Sequence, residues 1–109
     1  MVRRVCVTAL MLACSVALAQ APSAADVARL TSDARRIESV FTDRVAAIAG
    51  VPAARIRQLM SLEPRIAERG PWLAQAISKE IRPLSEGEVR AVLAADRERK
   101  KALAASRRH

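Results

Sequence analysis

The sequence predicts an all-α protein: a small helical bundle or hairpin with long first and last helices and short, Pro/Gly-punctuated helices between them. Three observations carry that prediction. Apolar residues between Val27 and Ile48 recur at intervals of three and four, Pro and Gly cut the middle of the chain into short segments, and no stretch alternates apolar with polar residues as a half-buried strand would.

The chain opens with Arg3 and Arg4, followed by an uncharged run from Val5 to Ala19, which is the order of a secretory leader. That run is 15 residues long, and a bilayer core takes roughly 20, so it is short for a permanent anchor. Ala17-Leu18-Ala19 has the small-x-small form of a cleavage site, and residues 1–19 are expected to act as a cleavable signal peptide. Two alternatives use the same residues: Met11-Leu12-Ala13-Cys14 as a lipoprotein box that would lipidate Cys14, and a buried N-terminal helix of a cytosolic protein. Cys6 and Cys14 both fall inside the leader, so a mature chain would carry no disulfide and would rely on its core or on a partner.

Residues 20–25 are small and newly terminal, and are expected to be disordered. A single helical domain is expected over 26–104. Its first helix carries Val27, Leu30, Ala34, Ile37, Phe41, Val45 and Ile48 as one stripe, and Gly50 followed by Pro52 supplies a stop. Pro52 is expected as the first residue of a second helix with Ile56, Leu59 and Met60 on its apolar side, ending near Glu63 because Pro64 disfavours helical geometry before it. A short turn over 64–69 closed by Gly70 follows, and Pro71 opens a segment that presents Trp72, Leu73, Ala76, Ile77 and Ile81 and stops at Pro83. Ser85 and Glu88 stand in capping-box spacing at the start of the last helix, whose stripe is Val89, Val92, Leu93 and Leu103, interrupted by Asp96 and Lys100. Glu86 with Arg90 and Asp96 with Lys100 have the spacing of solvent-facing ion pairs. The first and last helices are expected to pack on each other, the short ones covering an end, and 105–109 to form a basic disordered tail.

Charge is concentrated at one end. The formal +8 falls to +6 without Arg3 and Arg4, and Arg97, Arg99, Lys100, Lys101, Arg107 and Arg108 against Glu98 supply +5 of it. Outside the cytoplasm such an end would meet anionic lipid head groups, lipopolysaccharide phosphates or acidic proteins; as a plain helix terminus it would simply complement the macrodipole. Trp72 is a candidate docking residue beside its ordinary role of closing a core. The only histidine, His109, is terminal, and Gly50, Gly70 and Gly87 are isolated, so no positioned imidazole, thiolate site or phosphate-cradling loop is evident. Glu63 with Glu68 and Glu86 with Glu88 could serve acid–base chemistry but also serve as solvated charges or caps. No catalytic, cofactor-binding or metal site is therefore expected.

Two local patterns resemble known families. Val45, Ala46, Ala49, Gly50, Val51, Ile56 and Leu59 resemble the helix-turn-helix of bacterial repressors, which would make Arg55, Arg57 and Gln58 the DNA-facing residues of a recognition helix. A structural hairpin uses the same residues, and an exported chain would not meet operators. Leu84-Ser85-Glu86-Gly87-Glu88 is similar to the Leu-Thr-x-x-Gln motif of small helical periplasmic chaperones of the Spy type, which implies a protein that shields apolar client surfaces. The expectation is an exported, non-enzymatic envelope protein, periplasmic or secreted, that binds a partner protein or an anionic surface. The sequence points to no small-molecule substrate, and leaves peripheral membrane contact and oligomerisation open.

Overall fold

The computed structural model describes residues 23–63 and 68–108. The expected leader over 1–19, residues 20–22, residues 64–67 of the turn expected over 64–69, and His109 lie outside the described residues. Four helices follow in order: α1 (Ala24–Ala49), α2 (Ala53–Leu62), α3 (Arg69–Glu80) and α4 (Glu86–Arg107), with no strand among the described residues. The fold is all-α with long first and last helices.

α1 begins where the Ser23 hydroxyl accepts the Asp26 N–H at 3.1 Å. The expected disordered stretch over 20–25 is therefore corrected at its end. Ser23 caps the helix, and Ala24 and Ala25 have the highest helix propensity of any residue. At the other end Gly50 takes φ 72° and ψ 34°, a left-handed conformation costly for a residue with a Cβ. That geometry turns the Gly50 and Val51 N–H groups back onto the Ala46 carbonyl at 2.8 and 3.0 Å, closing the helix. Pro52, extended at φ −63° and ψ 147°, is the N-cap of α2 rather than its first residue.

α3 departs from the expected punctuation. Gly70 and Pro71 both lie inside its first turn, where N–H groups have no intrahelical acceptor and a proline costs little. Gly70 does not close a turn; it permits a close approach. A Cβ built on it would lie 2.9 Å from the Asp96 Cβ of α4.

α4 opens with the expected capping box, Ser85 Oγ accepting the Glu88 N–H at 3.1 Å and Glu88 accepting the Ser85 N–H at 3.0 Å. It runs to Arg107, past the expected boundary at 104. The supposed disordered tail is corrected by two contacts to α1: the Ser106 hydroxyl donates to Asp33 at 2.7 Å, and Arg29 donates to the Ser106 carbonyl at 3.3 Å. Val27 lies more than a turn beyond Asp33 and is 52% exposed, so the α1 stripe is uncovered at its start.

The core is shared by all four helices. Phe41, Val45, Ala46 and Ala49 of α1 meet Ile56 and Leu59 of α2, Leu73, Ala74 and Ile77 of α3, and Val92 and Ala95 of α4. Each large side chain buried here contributes about 1.5–3 kcal/mol, against roughly 0–1 kcal/mol for a surface ion pair. Apolar burial therefore outweighs the surface ion pairs in holding the helices together, and α1 and α4 form the most extensive contact. Arg82, between α3 and α4, then ties the ends together. Its Nε donates to the Ala49 carbonyl at 3.0 Å and its Nη2 to the Ile48 carbonyl at 3.2 Å, so it caps the C-terminus of α1. Both terminal nitrogens also meet Glu88, the shorter contact being 2.6 Å.

Candidate functional site

Three polar or amphipathic features emerge from this packing: an inward ion network, an outward basic ridge and an open groove. The network is built on Asp96, only 3% exposed and covered by the first turn of α3 at Gly70. Arg99 donates to Asp96 Oδ1 through Nε at 3.0 Å and Nη2 at 2.9 Å, and reaches α1 through Nη1, which donates to Glu38 Oε1 at 3.1 Å. Arg69 donates to the other Glu38 oxygen at 2.7 Å, and Lys100 lies 3.4 Å from Asp96 Oδ2. The Arg99 guanidinium also stands 5.5 Å from the centroid of the Phe41 ring. Burial opposes ionisation of Asp96, but the hydrogen bonds and charges of Arg99 and Lys100 outweigh it and hold the carboxyl below its usual range. No buried side-chain polar atom lacks a hydrogen-bond partner among the described residues, so the network is a closed link between three helices.

This placement divides the six expected surface cations. Arg99 is turned inward, its side chain 11% exposed, and is removed from any outward-facing site. Lys100 is ion-paired with Asp96 and, at 3.8 Å, with Glu68. Arg97, Lys101, Arg107 and Arg108 are exposed and pair with no side-chain carboxylate among the described residues.

Arg90 joins them, and it was missed in the tail-centred view. The expected Glu86–Arg90 pair does not form: both are exposed, and Arg90 has no carboxylate partner among the described residues. Arg90, Arg97, Lys101 and Arg108 are separated by 7, 4 and 7 residues, which at about 100° per residue puts them within roughly 20° of a single line. They form a straight row about 27 Å long on the outer face of α4. The spacing was legible in the sequence; what was not legible was that Arg99, on the opposite side of α4, is drawn in against Glu38 while Lys100 stays exposed beside Asp96.

The remaining candidates are distributed elsewhere. Trp72 is half-buried and packs against the core cluster. Arg57 and Gln58 are exposed on α2, whereas Arg55 donates to the Glu80 carbonyl at 3.5 Å and to Gln58 at 3.4 Å, an attachment to the end of α3. Glu88 is committed to Arg82 and Ser85. No group of three or more His, Cys, Asp or Glu converges as a metal site among the described residues.

The third feature is an open groove of about 940 Å³ bounded by α1, α2 and the end of α4. Leu30, Ala34, Met60 and Leu103 supply its apolar lining, and Arg35, Arg57 and Arg107 line it as well. Comparison of the chain with protein families, with curated proteins and with solved structures finds no match.

Proposed function

We propose that this chain is an exported, non-enzymatic helical protein of the cell envelope that binds an anionic surface through the outer face of α4. The row of Arg90, Arg97, Lys101 and Arg108 is the observation that supports this most directly, because four cations without a carboxylate partner among the described residues, set along one line, present a positive edge. A cation close to an anionic membrane contributes about 1 kcal/mol. The row therefore supplies roughly 4 kcal/mol, equivalent to a Kd near the millimolar range. Such attachment is peripheral and reversible by salt. The leader pattern of residues 1–19 supports the location.

Co-sedimentation of the purified protein with phosphatidylglycerol vesicles and with phosphatidylcholine vesicles tests the surface. Binding should be confined to the anionic vesicles, weaken as added salt shortens the screening length, and fall in the triple variant Arg90→Glu, Arg97→Glu, Lys101→Glu. Equal binding to neutral vesicles, or an unchanged triple variant, refutes the ridge. Intact mass and compartment of the native protein test export separately. A full-length polypeptide in the cytoplasm refutes it.

A further inference from the structure

We infer that the groove between α1, α2 and the end of α4 is a second binding site, distinct from the basic ridge, for an amphipathic helix of a partner protein that carries acidic residues beside its apolar stripe. The groove follows α1 from Leu30 to Thr42, a length of about 18 Å or three helical turns. Its apolar lining comes from Leu30 and Ala34 on α1, Leu103 on α4 and Met60 on α2, the last an adaptable side chain suited to receiving a knob.

Charge selects the occupant. Arg35 and Arg107 line the groove on α1 and at the end of α4, and Arg57 lines it from α2; none pairs with a side-chain carboxylate among the described residues. Glu38, the one acidic lining residue, is already held by Arg69 and Arg99. The groove thus presents apolar surface with cations contributed by three different helices. A single-headed amphiphile places its anion at one end, whereas an acidic amphipathic helix offers carboxylates along its length. A second copy of the chain related by a two-fold axis would set arginine against arginine. Residues 1–22 contain Arg3 and Arg4 and no acid, and residues 64–67 contain Arg65 and no acid, so neither segment of the chain supplies the complementary charge.

The test is fluorescence anisotropy of a labelled peptide of about 14 residues, long enough to cover three turns, with Leu at i, i+3, i+4 and i+7 and Glu on the flanking positions. The purified protein should bind it, and should bind the same peptide with Lys for Glu, or Ser for Leu, at least about 10-fold more weakly, because charge and apolar burial both contribute. The exposed triple Arg35→Glu, Arg57→Glu, Arg107→Glu should lose about 10-fold or more, while Arg90→Glu with Arg97→Glu should change affinity less than about 2-fold. That pair of variants separates the groove from the ridge: vesicle binding can fail while peptide binding stands, and the reverse. Equal loss in both variants would mean general polybasic attraction and overturn the proposal. So would equal affinity for the Lys peptide, which marks indiscriminate client shielding, and so would sodium laurate binding the groove when the acidic peptide does not.

Discussion

Gly70 and Gly87 occupy the same position, the second residue, in α3 and α4. The change Gly→Ala should nevertheless have opposite effects at the two sites. At Gly87 a new Cβ meets only Ser85 Oγ at 3.9 Å, an ordinary contact. Ala there narrows the unfolded ensemble and should stabilise by about 0.4–1 kcal/mol. At Gly70 the same Cβ would lie 2.9 Å from Asp96 Cβ, 3.0 Å from Oδ2 and 3.2 Å from Cγ. Asp96 Cβ is fixed to the α4 backbone, so the strain is relieved only by moving α3 away from α4. That movement would disturb the Arg69–Glu38 bond at 2.7 Å and the packing of buried Leu73. Overpacking of this kind costs about 1–3 kcal/mol, which exceeds the gain in unfolded-state entropy. The net should be destabilisation of roughly 1–2 kcal/mol. For a domain of this size each kcal/mol moves Tm by about 4–8 °C. Thermal unfolding followed by circular dichroism should show Gly87→Ala melting higher than the parent and Gly70→Ala melting lower. If both variants melt higher, the close approach of α3 to Asp96 is refuted.

Two further expectations concern the polar links. Glu88 titrates at about 2 rather than its ordinary 4.5, chiefly because of the Arg82 hydrogen bond, with the Ser85 N–H adding to it against burial. Because folding favours the carboxylate, its stabilisation is complete above about pH 4.5 and is lost as pH falls toward 2. Urea midpoints should decline through that window, and Glu88→Gln should lower the neutral-pH midpoint and flatten the decline; an unaltered pH profile would refute the Arg82–Glu88 clamp. Asp96→Ala leaves Arg99 with Glu38 as its sole carboxylate partner among the described residues. The cost of breaking a buried pair, about 3–5 kcal/mol, should appear near the lower end in equilibrium denaturation. A loss below about 0.5 kcal/mol, the scale of an exposed substitution, would show that Asp96 is a solvated surface acid.

How far the sequence reached differs between kinds of feature. Stripe periodicity identified the long helices, and Ser85 with Glu88 marked the start of α4 because a capping box is satisfied entirely within three residues. Gly50 was legible as a stop for the same local reason. Pro71 was legible as the opening of α3, two residues inside its start, whereas Gly70 reads locally as the close of a turn because a break and a close approach favour the same residue type; only the position of Asp96, far along the chain, distinguishes them. Asp96 and Lys100 have the spacing of a surface pair and do pair at 3.4 Å, yet Asp96 is buried. The ridge was half legible: its four members share a helical face by arithmetic, whereas the pairing that buries Arg99 on the opposite side depends on Glu38 of another helix.

The sequence by itself determined that the chain is helical, where α4 starts, and which apolar side of each long helix seeks cover, since propensity, capping and a 3.6-residue period act over a few neighbouring residues. The tertiary structure decided which charges are drawn into links between helices. It turned Arg99 toward Glu38 and Asp96, spent Arg82 on the end of α1, and left Arg35, Arg57 and Arg107 around an apolar groove. The physical reason is that a polar side chain's partner is set by the approach of helices distant in sequence, and no local pattern encodes that distance.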